Sequence, residues 1–155
     1  MLDPSFNKKI RKIITILEYP MYVVIRDKNF KCQCRDINAV PDPHCMKCLG
    51  TGYRIKIKEI PGVMEPDDNP SMRMNEQADR TSMNYYYFNS EKVDIADIQR
   101  KNLIVRDDEV DLLMTPRQYR SDSNSPIYYY VRAVPMQVNQ QLFLKNFHKV
   151  LDRLL

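Results

Sequence analysis

Tryptophan is absent from the 155 residues, histidine occurs twice and glycine three times. The two histidines, His44 and His148, lie far apart with no evident catalytic partner. There is no P-loop, no dinucleotide-binding glycine fingerprint, no nucleophile elbow and no H-E-x-x-H pair. Positive evidence for catalysis is missing, and the expectation is a binding or structural protein, not an enzyme. No apolar run approaches the length of a membrane span. The opening stretch Met-Leu-Asp-Pro-Ser-Phe-Asn-Lys-Lys-Ile lacks the apolar segment of a secretory signal. The chain is therefore expected in a reducing cytosol, away from membranes.

What is present is concentrated. All four cysteines, Cys32, Cys34, Cys45 and Cys48, fall between residues 30 and 53. Two close pairs on either side of a short arm are what a tetrahedral thiolate site requires, because each pair closes a tight turn around the metal and the arm brings the turns together. The second pair continues as C-x-x-C-x-G-x-G. Gly50 and Gly52 let the backbone turn with positive φ and present N–H groups to the sulfurs. The reading is one structural Zn2+ per chain, held by the four cysteines with Gly50, Gly52 and Tyr53 supporting the loop. Two disulfides are the main rival, and a reducing compartment argues against them. A redox C-x-x-C would open a helix, whereas glycines follow this one at once. His44 precedes Cys45 and could replace one ligand, but four thiolates already complete a shell. A complete shell leaves no open position for water, so the metal is expected to be structural.

The net charge of +4 is unevenly spread. Through Lys58 there are twelve basic residues against five acidic, and beyond it twelve against fifteen. A basic front end suits nucleic acid, an acidic protein surface, or plain solvation. Ten tyrosines stand against the missing tryptophan. Tyr85, Tyr86 and Tyr87, then Tyr128, Tyr129 and Tyr130, form two runs that suit strands and interfaces, and all six are candidate interface residues.

Taken in order, residues 1–20 read as an N-terminal helix. Asp3-Pro4 starts it, Ile10, Ile13, Ile14 and Leu17 give its apolar stripe, and Tyr19-Pro20 stops it. That stripe is expected to meet the core or another subunit. Met21–Arg26 reads as a strand. From Tyr53, Ile55 and Ile57 fall on one side and Arg54, Lys56 and Lys58 on the other, a half-buried strand with a basic outer face. The zinc loop, residues 30–53, is thus inserted between two strands. Residues 61–82, with scattered methionines including Met64, Met72 and Met74, read as a long loop. Short strands fill 84–135, with a hairpin around Arg106–Glu109 and a turn at Ser121–Pro126. Asp107, Asp108, Glu109 and Asp111 do not fit an EF-hand spacing and are expected at a solvated hairpin tip. Asn139 caps a last helix, 139–155, with Phe143, Phe147, Val150, Leu151 and Leu154 at helical spacing. The predicted fold is a single domain, mainly β with flanking helices (α+β): a small SH3-like antiparallel β-barrel of five or six strands, with an inserted zinc loop and N- and C-terminal helices.

The segment Cys-Gln-Cys-Arg-Asp … Asp-Pro-His-Cys-Met-Lys-Cys-Leu-Gly-Thr-Gly-Tyr resembles a cysteine-rich loop of small neck proteins of tailed bacteriophages. The four cysteines, Gly50, Gly52 and Tyr53 all match. Asp97, Lys101–Val105, the hairpin and the Tyr-rich strand ending Arg-Ala-Val-Pro are similar to the barrel strands of stopper-like connectors. The resemblance covers about two thirds of the chain and leaves out the N-terminal helix and the 61–82 loop. It implies a virion protein of head completion or head–tail connection, assembled in the host cytoplasm. It would form a homo-oligomeric ring between the portal or adaptor protein and the tail proteins, with packaged DNA passing through without sequence-specific contact. Ring subunits meet through heterologous interfaces that close by rotation. Two rivals use the same cysteines. One is a zinc-ribbon nucleic-acid-binding protein. The other is a chaperone-like module, since C-x-x-C-x-G-x-G also resembles the repeat unit of DnaJ-type co-chaperones, although those carry several copies.

Overall fold

Runs of β-branched and aromatic residues, separated by turn-formers, build seven strands between two helices. The computed structural model describes residues 4–35, 40–66, 83–121, 124–136 and 140–154. In chain order the elements are α1 (Pro4–Leu17), β1 (Tyr19–Lys31), β2 (Tyr53–Pro66), β3 (Asn84–Asn89), a 3-10 turn (Ile95–Ile98), β4 (Leu103–Arg106), β5 (Glu109–Leu113), β6 (Arg117–Arg120), β7 (Pro126–Pro135) and α2 (Gln140–Leu154). The fold is mainly antiparallel β with two flanking helices, as expected. The first strand is twice the length read from the sequence, and β2 takes in residues 61–66 of the expected long loop. Residues 67–82, with Met72 and Met74, lie outside the described residues, as do Asp3 and Asn139.

All pairings are antiparallel. β2 pairs with β1 and β3, β1 with β4, β4 with β5, β5 with β7, and β7 with β3. The hydrogen bonding therefore runs through six strands and returns to its start. β6 takes the stretch of β7 that β5 leaves free. Seven strands replace the expected five or six because Arg117-Gln-Tyr-Arg120 is a strand without apolar alternation. Its side chains are only half-buried or exposed, so no hydrophobic signal marked it.

Alternation along the strands sorts side chains onto two faces. On one face Met21, Val23, Ile60, Phe88, Ile104, Leu113 and Val131 form one core. On the other, Val24, Leu103, Val105 and Val110 pack under Phe143 and Phe147 of α2, with Ile55 and Ile57 at the edge. Each such side chain, fully buried, contributes about 1.5–3 kcal/mol. Arg54, Lys56 and Lys58 are exposed, as the strand pattern required.

The helices bury less than their stripes promised. Among the described side chains of α1 only Ile14 is buried, while Ile13, Ile16 and Leu17 are 55–69 % exposed and Phe6 is 42 % exposed. The helix is fastened instead by Arg11, which pairs with Glu91 at 2.8 Å and donates to the Pro126 carbonyl at 3.1 Å. Along α2, Phe143 and Phe147 are buried and Leu154 is exposed.

The tyrosine runs divide by parity. Tyr86 and Tyr129 point into the first core and are removed from the candidate interface set. Tyr85, Tyr87, Tyr128 and Tyr130 stay half-buried on the opposite face. There Tyr128 stacks on Tyr119 at 4.9 Å, with Tyr87 and Tyr130 each 6.2 Å away.

Asp111 is a second correction. It does not sit at the solvated tip with Asp107, Asp108 and Glu109; it is buried, with 1 % of its surface exposed. The two-residue turn Asp107-Asp108 ends before it, and alternation along β5 sends Asp111 inward. Its carboxylate accepts from Asn84 Nδ2 at 3.0 Å and from the Tyr86 hydroxyl. Arg106 Nε donates to the Tyr86 oxygen at 2.8 Å and lies 3.8 Å from the carboxylate. Burial pushes the Tyr86 hydroxyl far above its ordinary value, and the Asp111 charge acts the same way. The fold thus holds the neutral phenol, while an unfolded tyrosine ionises near about pH 10. This contribution is complete below about pH 10 and drains away as the pH rises above it. Urea midpoints taken through that range should fall, and Tyr86→Phe should fall less steeply. A parallel decline in both proteins would remove Tyr86 as the cause.

Candidate metal centre

The β1–β2 hairpin ends in the cysteine loop. Cys32 follows the last residue of β1 and its N–H donates to the Gly52 carbonyl at 3.0 Å, so the ladder continues into the loop. Cys45 to Thr51 form a tight double turn: Cys45 N–H donates to Asp42 O at 3.1 Å, Leu49 N–H to Cys45 O and Thr51 N–H to Cys48 O, both at 3.0 Å. Turning this sharply needs the left-handed region at three neighbouring positions, Leu49 (φ 51°), Gly50 (φ 80°) and Gly52 (φ 78°). Leu49 adopts it because its side chain is buried in the core beneath α2. The cysteine loop is therefore packed onto the fold and not merely appended.

The sequence's four cysteines all come together. Their sulfurs lie within 4.8 Å of one another and could hold a metal ion. Cys32 and Cys45 are 3.7 Å apart and Cys34 and Cys48 3.4 Å apart, with all four cysteines free. A metal with bonds of about 2.3 Å at the centre of four sulfurs sets tetrahedral edges of about 3.8 Å. A disulfide would require about 2.0 Å. The donor set therefore fits a tetrahedral thiolate-bound ion. Cys48 is fully buried and the other three are partly exposed. His44 is exposed and its backbone N–H donates to Asp42 Oδ1, outside the sulfur cluster.

The loop backbone differentiates the sulfurs. Burial raises the Cys45 thiol, but N–H groups of Cys48 and Lys47 and the neighbouring thiols outweigh it and leave Cys45 at about 7. Burial pushes Cys48 up to about 12 despite N–H groups from Gly52 and Gly50, and it also raises Cys34. Gly50 and Gly52 thus do what their place in the motif suggested: they turn the chain and aim N–H groups at sulfur. A positive ion among the four would complete what these donors begin.

Two supporting residues were differently legible. Tyr53, singled out in the sequence, opens β2 and lies under the Arg35 guanidinium, 4.3 Å from its ring centre. Arg35 was not singled out. Its Nε donates to the Gly52 carbonyl at 2.7 Å, and a Cβ on Gly52 would come within 2.9 Å of that nitrogen. Only its place directly after the first cysteine pair hinted at this role. Among the described residues no helix is long and apolar enough to cross a membrane. Compared with known proteins, the chain matches no protein-family model and no curated protein.

Proposed function

We propose that the four sulfurs hold a structural Zn2+ and that the chain is a neck protein of a tailed phage. In this reading it forms a homo-oligomeric ring between the portal or adaptor and the tail, and it completes or seals the DNA channel of the virion. The observation that carries the reading is the cysteine loop at the tip of the β1–β2 hairpin, in the motif that resembles such proteins. Soft thiolates in a closed four-sulfur set favour zinc over oxygen-seeking ions. The circuit of six paired strands is what a small SH3-like barrel requires. The apolar outer face of α1 and the half-buried tyrosines of β3 and β7 offer surface for a neighbouring copy.

Native mass spectrometry, with and without a chelator, tests this directly. One zinc per chain is expected, with a ring-sized oligomer formed alone or once a portal protein is supplied. A chain that stays monomeric with both portal and tail-tube proteins present would sink the neck reading. The second reading, a zinc-ribbon nucleic-acid-binding protein, is favoured by one observation: the exposed row Arg54, Lys56 and Lys58 leading into the metal loop.

A further inference from the structure

Beyond the paired part of the sheet, the β1–β2 ribbon and the 3-10 turn enclose an open groove of about 670 Å³. Its lining includes Arg26, Lys28, Arg54 and Lys56 from the ribbon and Gln99 and Asn102 from the opposite wall. Among the described residues Asp27 is the one carboxylate in it, and its Oδ1 accepts the Asn29 N–H at 3.1 Å. The next lysine along, Lys58, is neutralised by Asp97 at 2.8 Å. Lys28, Arg54 and Lys56 form no ion pair among the described residues. Arg54 is held in place by stacking on Phe30, its Cζ 5.4 Å from the ring centre. Around the ribbon's edge, Arg26 and Arg35 share the Tyr53 ring at 5.1 and 4.3 Å. Arg26 Nε is buried there without a hydrogen-bond partner.

From this we infer that the groove beside the metal loop is a docking surface for the phosphodiester backbone of duplex DNA, contacted without reading bases. Charge selects the occupant: Arg54 and Lys56 share one face of the ribbon, opposite Asp27 and Ile25, and with Lys28 they outnumber the Asp27 carboxylate, while Arg26 stands on the other face against Tyr53. The cations are also ordered. Cations two residues apart on a strand repeat every 6.5–7 Å or so, a regular row that a string of phosphates can follow. Guanidiniums stacked on aromatic rings lose little freedom on meeting an anion. Zinc contributes by fixing the tip of the ribbon on which these cations stand. The inference rests on the neck reading only for naming the DNA as packaged duplex, and it identifies the face turned toward the channel.

The test is fluorescence anisotropy of a labelled mixed-sequence duplex with the full, metal-loaded chain, between about 50 and 200 mM salt. The variant Lys28→Ala/Arg54→Ala/Lys56→Ala is compared with Lys8→Ala/Lys9→Ala/Lys12→Ala, an equal charge change on exposed positions of α1. The groove variant is expected to lose on the order of tenfold or more in affinity. Its salt slope should be shallower by about 0.9 for each phosphate contact removed. The α1 variant should keep both. Lys56→Glu alone, which leaves Arg54 on Phe30, is expected to weaken binding in the same direction. Metal content and circular dichroism confirm that each variant is folded. Equal losses in the groove and α1 variants would overturn the inference. So would binding of poly-glutamate as tightly as duplex, which would assign the groove to an acidic protein. Ring assembly in the same samples is read separately: rings without groove-dependent binding sink only this inference, and groove-dependent binding without rings sinks only the neck reading.

Discussion

Cys48→Ser is expected to empty the metal site and release the loop around it. Cys48 is the fully buried sulfur of the four, and the N–H groups of Gly50 and Gly52 are aimed at it. Structural zinc in small domains contributes roughly 10–16 kcal/mol of apparent binding energy, so the loop has little to hold it once a ligand is lost. The damage should spread, because Leu49 reaches from the loop into the core with Val24, Phe143 and Phe147. Elemental analysis should find close to no zinc, and limited proteolysis should open residues 40–52 while the intact chain resists. A chelator should bring the unmodified protein to the same state. His44→Ala, at an exposed position outside the cluster, should change neither readout. Full metal content in Cys48→Ser would show that three sulfurs suffice and would undo the account of the site.

The second large effect is expected at Asp111→Ala. The carboxylate is buried and serves Asn84, Tyr86 and Arg106 together. Removing it leaves the Arg106 guanidinium, only 10 % exposed, with Glu109 as its remaining ion-pair partner, and leaves the Tyr86 phenol and the Asn84 amide without their acceptor. Each buried donor left without its acceptor costs about 1–3 kcal/mol, and here two are orphaned together while Arg106 loses one of its two carboxylates. Tyr86→Phe should cost less, nearer 1–3 kcal/mol, because Asn84 and Arg106 still face the carboxylate. Urea unfolding with zinc held in fixed excess separates this from metal loss, as bound metal itself shifts stability. A loss under about 1 kcal/mol for Asp111→Ala would mean that the network is solvated and not part of the core.

The sequence by itself determined the features whose causes are local. Cysteine spacing and the two following glycines define the cysteine loop, because four sulfurs within seventeen residues can meet through turns alone. Alternation from Tyr53 to Lys58 defined a half-buried strand with its cations outside, and the apolar run from Met21 defined its partner. The tertiary structure decided whatever depends on residues distant in the chain. Three consecutive tyrosines carry no parity of their own, so only pairing of β3 between β2 and β7 turned Tyr86 inward and left Tyr85 and Tyr87 outside. Asp111 looked like one more acid of a hairpin tip. Its burial depends on Tyr86 and Asn84, 25 and 27 residues away. β6 carries no apolar pattern and exists because β7 offers it a free edge. The stripe on α1 announced a helix but not what would cover it, since the sheet provides room for Ile14 and leaves Ile13, Ile16 and Leu17 outside. Spacing specifies a turn or a period, and hydrogen-bonded partners then choose which face of that period is buried.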